Sequence, residues 1–482
     1  MKTTSIVWII LLWSSILVAQ EKLGQKPNVL FIAIDDLNDY VACMNGTIKA
    51  HTPNIDRLAR QGTLFTNAHC QAPICGPSRA SIMTGLYPSS SGNYLQLNEV
   101  DIKKGSEMVR NATFMPDYFE QYGYRTMAVG KINHSGDRAQ TFDEYGGRFA
   151  WMGPKPPEKF NFTESRYPNK IGSTQTDWAA YPKQDSLMTD YQSAKWAVNK
   201  LQQEYAQPFF LAVGFVRPHV PWYVPQKWFD MFPKEEIKLP PYKKDDFDDI
   251  SPFAQKVAEV LMMPTTDELI ASGEWRDVLQ AYLACIAFVD EQVGKVMAAL
   301  ENSAYRDNTI VVLWADHGYH LGEKNRFAKQ ALWERDTRTV LIFRQPGSKK
   351  GQVCAAPTQL LDIYPTLVEL CGLPSYPLAE GHSLVPLLNN PNERWNYPAL
   401  SFYGVGNATV RNDRYRLTKY EDGSEELYDM KRDPNEWNNI ANTKKGQKKT
   451  ANLEVHIPKT WAPLSEKSSY NVNDYFKSKT KK

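Results

Sequence analysis

The chain has 482 residues, of which 42% are hydrophobic and 23% are charged, and its formal net charge is +2. This composition is typical of a soluble globular protein, and the length predicts one large domain with a smaller one beside it. A net charge so close to zero argues against a dedicated nucleic-acid-binding protein, because no strong positive field would attract phosphates.

The first twenty residues have the order of a secretory signal peptide. Lys2 precedes a mostly apolar run from Ile6 to Ala19, and cleavage is expected after Ala19 or Gln20. The run is short for a membrane span, and no later segment is apolar for long enough to cross a bilayer. We expect residues 1–20 to direct export to the periplasm or the medium, an uncleaved N-terminal anchor being the alternative.

Strand and helix patterns alternate through residues 21–388. The run Asn28–Ile34 is apolar on both faces, as in a parallel strand covered by helices on both sides. Further strand patterns lie at residues 63–68, 125–129, 209–215, 309–314 and 339–343, and helix patterns lie at 52–60, 115–122, 186–205, 278–300 and 361–370. This alternation predicts an α/β fold whose large, mostly parallel sheet is flanked by helices.

Residues 389–482 have a different character and are predicted to form a smaller α+β domain. Polar and apolar residues alternate at 411–419 and 425–429, on either side of Asp422-Gly423, a dipeptide that favours a hairpin turn. We therefore expect a small antiparallel sheet. The Lys-rich stretches at 444–449 and 477–482 are interpreted as solvated and mobile.

Four predicted strands end in polar clusters, and ligands bind at the carboxyl ends of strands in open α/β sheets. The clusters are Asp35 with Asp36, Lys131 with His134, Arg217 with His219, and Asp316 with His317. A single strand-end Asp or His is more often a cap or a loop hydrogen bonder. Four coincident endings indicate a common site.

The residue types in these clusters suggest their chemistry. Asp35, Asp36 and Asp316 offer hard oxygen donors, which suit Ca²⁺ or Mg²⁺ better than a soft metal. His317 could ligate such a metal or only support it. Lys131, and Lys329 further along the chain, are candidates to neutralise a bound anion. His134 and His219 are candidates to move protons near neutral pH. The alternative for each lysine is a solvated surface position.

The stretch from Cys75 to Gly85 places a reactive side chain at the start of a helix. Pro77 suits a first helical position, and Gly85 suits the helix end. Cys75 would then lie at the positive end of the helix dipole, with Arg79 close by in sequence. The alternative is a buried structural cysteine before an ordinary helix.

The spacing Cys-x-Pro-Ser-Arg followed by Thr84-Gly85 resembles the signature of the type I, formylglycine-dependent sulfatases. The resemblance extends along the chain in the order Asp-Asp, Cys-x-Pro-Ser-Arg, Gly-Lys-x-x-His, Pro-His, Asp-His-Gly and Lys. It is particularly similar to the iduronate-2-sulfatase-like branch. Residues 327–334, 380–384 and 414–429 also fit this family, and residues 135–183 fit it least.

The resemblance implies an alkaline-phosphatase-like fold, with residues 21–388 as the catalytic domain, and a set of site roles. It implies that Cys75 is oxidised to formylglycine, whose hydrate attacks sulfur and forms a sulfated-enzyme intermediate. It implies Ca²⁺, rather than Mg²⁺, held by Asp35, Asp36, modified Cys75, Asp316 and His317. It further implies that Arg79 helps ionise the nucleophile and that Lys131 and Lys329 bind the sulfuryl group. By the same resemblance, His219 contacts the substrate and protonates the leaving sugar oxygen, and His134 is the base that releases sulfate.

The expected substrate is a sulfated oligo- or polysaccharide, such as a fragment of ulvan, carrageenan or a glycosaminoglycan. The likeness to the iduronate-2-sulfatase branch favours a 2-O-sulfate on a uronic acid or similar sugar, and the expected partner is a formylglycine-generating maturation enzyme. Two alternatives are a phosphoesterase of the same superfamily and a non-catalytic binder of sulfated glycans. Specificity is expected to reside in residues 90–98, 135–183 and 221–264.

Overall fold

A computed structural model describes residues 26–134, 141–149, 153–168, 170, 175–347, 351–470 and 473–480. The predicted signal peptide, residues 1–20, and parts of the irregular segment 135–183 lie outside these residues.

The strands of the described residues, in chain order, are β1 Asn28–Ile34, β2 Thr63–His69, β3 Arg125–Gly130, β4 Glu144–Tyr145, β5 Trp178–Ala180, β6 Phe209–Phe215, β7 Trp222–Val224, β8 Thr309–Ala315, β9 Arg338–Arg344, β10 Gln352–Cys354, β11 Thr358–Gln359, β12 Ala399–Phe402, β13 Ala408–Arg411, β14 Tyr415–Lys419 and β15 Glu425–Asp429.

The α-helices are α1 Pro53–Gln61, α2 Cys75–Thr84, α3 Pro88–Ser91, α4 Glu107–Asn111, α5 Met115–Gln121, α6 Thr189–Leu201, α7 Gln226–Phe229, α8 Pro252–Ala258, α9 Thr266–Ser272, α10 Trp275–Glu301, α11 Glu334–Thr337, α12 Ile363–Leu370, α13 Val385–Asn389, α14 Lys444–Glu454 and α15 Asp474–Thr480. Short 3-10 helices lie at Ala42–Met44, Glu99–Lys104, Asp185–Leu187, Lys234–Glu236, Arg306–Asn308 and Leu360–Asp362.

The large sheet orders its strands β10–β2–β9–β8–β1–β6–β3–β4, and β11 also pairs with β2. β1 is parallel to β8 and β6, and β6 is parallel to β3. β9 is antiparallel to both β8 and β2, so β2 and β8 run in the same direction. The carboxyl ends of β8, β1, β6 and β3 are therefore neighbours, and the predicted mostly parallel α/β sheet is confirmed.

Alternate residues of β1 pack into cores on opposite faces of the sheet, which explains why the strand is apolar throughout. Leu30 and Ile32 lie in the cluster that contains the buried face of α10. Val29 and Phe31 lie in the cluster that contains residues of α2, α5 and α12. Each such side chain contributes about 1.5–3 kcal/mol through burial, so the sheet edge that carries the polar clusters has a rigid support.

The predicted antiparallel sheet of the C-terminal part is formed by β12–β13–β14–β15. Gly423, in the turn between β14 and β15, has φ +85°, a conformation that glycine adopts without strain. Phe402 and Tyr428 of this sheet share an apolar cluster with Ile74 and Trp333. The small sheet therefore packs against the segment that leads into α2 and against the segment that precedes α11.

Several expectations have other outcomes. The lysine-rich stretch at 444–449 is exposed at most positions, as predicted, but it begins helix α14 and is not an irregular tail. Of the stretch 477–482, residues 477–480 belong to α15, and residues 481 and 482 lie outside the described residues. The domain bounds 21–388 and 389–482 stay a prediction.

No helix of the described residues is both long and apolar enough to cross a bilayer. All six cysteines are free thiols.

Candidate active site

Helix α2 starts at Cys75, two residues earlier than the position of Pro77 predicts. Ile74 is the N-cap and supplies no side-chain hydrogen bond. Pro77 occupies the third helical position, where a missing N–H is still tolerated because the first-turn N–H groups have no partner within the helix. Gly85 ends the helix as predicted, with φ +74° and its N–H bonded to the Ser81 carbonyl.

The Cys75 side chain is fully buried and faces three polar groups. Its Sγ lies 3.0 Å from Lys329 Nζ, 3.3 Å from His317 Nε2 and 3.6 Å from Asp36 Oδ1. Burial and Asp35 oppose ionisation of the thiol, but Lys131 and Lys329 outweigh them and lower its pKa from the ordinary value. The structure does not place Cys75 in an inert apolar environment.

Asp35, Asp36 and Asp316 come together from the ends of β1 and β8. The Asp36 N–H donates to Asp316 Oδ1 at 3.0 Å. Asp36 Oδ2 is buried and makes no hydrogen bond. The backbone carbonyl of Asp36, in contrast, accepts a hydrogen bond from the Tyr282 hydroxyl at 2.7 Å. A buried carboxylate oxygen without a hydrogen-bond donor suits a cation.

Two overlapping groups of side chains place their donor atoms within 4.8 Å of one another, as a metal site requires: Asp35, Asp36, Cys75 and His219, and Asp36, Cys75, Asp316 and His317. Each group contains two carboxylates, one thiol and one imidazole, and the three carboxylates of the combined set are hard oxygen donors that fit a divalent cation such as Ca²⁺.

The orientation of His317 favours a ligand role over mere support. Its Nδ1 lies 2.8 Å from the Gly318 carbonyl, which can only accept, so Nδ1 carries the proton. Nε2 then faces Asp36 Oδ1 at 3.4 Å and Asp316 Oδ1 at 3.6 Å. Burial lowers the pKa of His317, but Asp316 and Cys75 raise it to about 9 overall, so this cluster favours a positive charge at Nε2. A metal cation could supply that charge.

Arg79 is buried, and its guanidinium makes hydrogen bonds within the protein. Nε donates to Asp316 Oδ2 at 2.8 Å, and Nη2 donates to Asp35 Oδ1 at 3.2 Å. Nη1 donates to the carbonyls of Lys131 and Ile132 at 2.7 and 2.8 Å. Arg79 thus ties the ends of β8, β1 and β3 together, and its contacts are those of a positioning residue.

The two predicted lysines lie on the acidic cluster and not on the protein surface. Lys131 Nζ pairs with Asp35 Oδ2, and its side chain is 1% exposed. Lys329 Nζ pairs with Asp36 Oδ1 at 2.5 Å, and its side chain is 12% exposed. Burial raises the pKa of Asp35, but Lys131, His219 and Arg79 hold it well below its usual range. Both carboxylates therefore face positive charge.

The two predicted proton-moving histidines approach the cluster from β6 and β3. His219 Nδ1 lies 2.7 Å from the Val220 carbonyl, so Nε2, 3.9 Å from Asp36 Oδ2, is the ring nitrogen that faces the cluster. Burial and Lys131 hold the pKa of His134 well below its usual value, so its ring is neutral near pH 7. The structure thus brings together the predicted site residues, His134 being close enough to interact electrostatically with Lys131 and Asp35.

Sequence reasoning missed two residues that support this cluster. The Ser78 hydroxyl donates to the Asp316 carbonyl at 2.6 Å, and the Tyr282 hydroxyl binds both the Asn38 N–H and the Asp36 carbonyl. Ser78 is the serine of the Cys-x-Pro-Ser-Arg motif, so its place in that motif is a sequence signal for a role at the site. Tyr282 lies in the middle of a helical pattern, where it resembles any other core residue.

Comparison with known proteins gives the family. Residues 27–373 match the Sulfatase family, and residues 322–462 match the C-terminal region of N-sulphoglucosamine sulphohydrolase. A sulfatase of Formosa agariphila is 47% identical, over 95% of this chain and 91% of that protein. Iduronate 2-sulfatase of Mus musculus is 29% identical, over 73% of this chain and 69% of that protein, in agreement with the predicted branch.

A solved 2-O GAG sulfatase superimposes with a TM-score of 0.67 at 25% identity, covering 89% of this chain and 91% of that one. The fold is therefore alkaline-phosphatase-like, as predicted. The family match spans most of the chain, and the sites that carried the resemblance lie together in space. The chain belongs to the sulfatase family and is a sulfuric ester hydrolase.

Proposed function

We propose that this sulfatase hydrolyses O-sulfate esters of a sulfated carbohydrate, using formylglycine made from Cys75. The contact of Cys75 Sγ with Lys329 Nζ, at 3.0 Å, carries the proposal. An ammonium at this position neutralises charge on an anion that approaches residue 75, as a sulfate ester must. The sulfatase family membership of the chain supports the conversion of Cys75.

Calcium is the metal we propose, with Asp35, Asp36, Asp316, His317 and modified residue 75 holding it. The buried Asp36 Oδ2, which makes no hydrogen bond, and the three hard carboxylate donors of the cluster support this choice. When bound, the cation supplies Lewis-acid stabilisation of negative charge on oxygen. Removal by a chelator is expected to abolish sulfate release, and Ca²⁺ is expected to restore it better than Mg²⁺.

Formylglycine, when present, supplies a hydrated aldehyde as the oxygen nucleophile towards sulfur. Lys131 and Lys329 neutralise the sulfuryl oxygens, and their ammonium groups are already oriented by the acidic cluster. His219 gives the proton at Nε2 to the leaving sugar oxygen, because its Nδ1 proton is engaged by the Val220 carbonyl. His134, neutral near pH 7, accepts a proton in the step that frees sulfate.

The relatives guide the choice of sugar. One of them is named iduronate 2-sulfatase and a solved neighbour is described as a 2-O GAG sulfatase. We therefore propose a 2-O-sulfate on a uronic acid or similar sugar, in fragments of a glycosaminoglycan, ulvan or carrageenan. Export through residues 1–20 to the periplasm or medium would bring the enzyme to such polymers, and a formylglycine-generating enzyme would mature it.

The test is sulfate release from a panel of sulfated oligosaccharides of defined structure, after expression with a maturation enzyme. We expect release from a 2-O-sulfated sugar, no release by Cys75→Ala, and much slower hydrolysis of matched phosphate esters. Release of sulfate from none of the oligosaccharides in the panel would contradict the carbohydrate assignment. Faster hydrolysis of phosphate than of sulfate esters would contradict the sulfate preference.

A further inference from the structure

Gln96 is a partly exposed residue with buried neighbours, in a loop beside Cys75. Its neighbours Tyr94, Leu95 and Leu97 are 0%, 1% and 4% exposed, so the loop backbone is anchored in the protein. The Ser469 N–H donates to the Gln96 carbonyl at 2.7 Å, which fixes the residue from the C-terminal side as well. The side chain of Gln96 is partly exposed between these buried neighbours.

The oxygen of the Gln96 side-chain amide already accepts a hydrogen bond within the protein. The Gly76 N–H donates to Gln96 Oε1 at 2.9 Å, and because an N–H can only donate, the carbonyl oxygen must occupy this position. A Cβ on residue 76 would lie 2.2 Å from this oxygen, so glycine permits the close approach. Gly76 directly follows Cys75, and the carboxamide is therefore held beside the residue to be modified.

The other end of the amide is a donor. Among the hydrogen bonds of the described residues, none involves Gln96 Nε2, whose two hydrogens remain available for a ligand. The sulfuryl oxygens are matched by the charged Lys131 and Lys329 in the proposed function. A neutral amide matches a neutral oxygen better, such as a sugar hydroxyl or ring oxygen next to the ester.

We propose that Gln96 is a specificity-determining residue, whose Nε2 donates a hydrogen bond to an oxygen of the sugar that carries the sulfate. This inference rests on the proposed function. A site built to hydrogen-bond a substrate oxygen discriminates strongly against a substrate that lacks it. An aryl sulfate lacks such an oxygen, so it reports on residue 75 and the sulfuryl contacts alone.

The test compares wild type, Gln96→Met and Gln447→Met, an exposed glutamine on α14 that serves as the matched control. Each is assayed on 4-nitrophenyl sulfate and on the sulfated oligosaccharide that the wild type hydrolyses best. For Gln96→Met we expect kcat/KM on the sugar to fall by about tenfold or more, as for a lost substrate hydrogen bond, and aryl activity to stay within about threefold. The formylglycine content and the pH–rate profile are expected to stay unchanged.

Each outcome separates this inference from the function on which it rests. Equal losses on both substrates would overturn the inference, because Gln96 would then act on residue 75 or on the sulfuryl group. An unchanged kcat/KM on the sugar would overturn it as well, while leaving the proposed function standing. A wild-type enzyme that cleaves only the aryl ester would overturn the carbohydrate proposal and the inference together.

Discussion

Lys329 Nζ lies 3.0 Å from Cys75 Sγ and 2.5 Å from Asp36 Oδ1, so one ammonium joins the residue to be modified to the proposed metal shell. Burial lowers the pKa of Lys329, but Asp36, Cys75 and Asp35 raise it well above the usual value. The side chain is therefore a fixed positive charge in the proposed reaction, and not a proton donor or acceptor.

Replacing Lys329 by Met removes this charge while keeping most of the side-chain volume. We expect kcat for sulfate release to fall by about 10² to 10³, the range for loss of one preorganised electrostatic contact. Lys227→Met is the matched control, because the Lys227 side chain is 62% exposed and pairs with Asp185 on the surface. Steady-state kinetics of both variants provide the measurement, and similar small effects for the two would contradict the role of Lys329.

Replacing His219 by Gln tests the proposed proton donor. A sugar alkoxide is a poor leaving group and needs protonation, whereas 4-nitrophenolate leaves without it. We expect kcat on a sulfated sugar to fall by about 10² to 10⁴ and kcat on 4-nitrophenyl sulfate to fall much less. Equal losses on both esters would rule out acid catalysis by His219.

Arg416 joins the C-terminal sheet to the segment that follows Lys329. Its side chain is fully buried and lies 2.5 Å from Glu334, which also pairs with Arg411 at 3.1 Å. Burial raises the pKa of Glu334, but the two arginines lower it well below the usual range, so removing one arginine leaves a charge poorly compensated. We expect Arg416→Met to lower the free energy of unfolding by about 3 kcal/mol.

The matched control is Arg414→Met, on the same strand-forming segment. The Arg414 side chain is 36% exposed and pairs with Asp429 at 2.7 Å, so solvent screens the pair and its loss is expected to cost much less than the loss of Arg416. Chemical denaturation of the two variants provides the comparison. A cost for Arg416→Met no greater than that for Arg414→Met would show that the buried pair does not hold the two parts together.

The stability of the protein is expected to depend on pH through Asp362. Burial raises the pKa of its carboxyl to about 7, although it accepts hydrogen bonds from the His382 and Gln359 N–H groups. The folded state therefore keeps a proton that the unfolded chain loses near pH 4, and this contribution to stability falls as the pH rises from about 4 to 7.

Asp362→Asn removes this titration. We expect the free energy of unfolding of the wild type, relative to the variant, to decrease steadily between about pH 4.5 and 7.5, and to level off above the folded-state pKa. Urea unfolding at several pH values measures the difference. A difference that stays constant across this range would contradict a raised pKa for Asp362.

The sequence predicts the sheet well because its strands carry their signal locally. Asn28–Ile34 and Phe209–Phe215 are apolar on both faces, and the structure gives both strands the predicted bounds. The direction of β9 has no such signal, because an apolar run reads the same for either direction. The prediction also places the start of α2 at Pro77, whereas the helix begins at Cys75. Ile74, its N-cap, has no side chain that can cap a helix, so Pro77 is the only local signal for the start.

The candidate site could be predicted where its residues follow strands, and less well where loops form it. Asp35 and Asp316 are brought together by the neighbouring strands β1 and β8, whose parallel direction, but not whose adjacency, the alternation of elements predicts. The contact of Gln96 with Gly76 depends on the path of a loop, and the Ser469 contact joins residues far apart in sequence. Spacing within the chain does not encode these contacts, so only the stretch 90–98 could be named in advance.

The mass of residue 75 in the active protein, measured together with sulfate release, tests the central claim most directly. Samples with different degrees of maturation should contain different fractions of formylglycine at this position. The account predicts that kcat per total protein rises in proportion to that fraction and that protein with only the Cys75 thiol releases no sulfate. A preparation that contains only the thiol and yet releases sulfate at the full rate would contradict it.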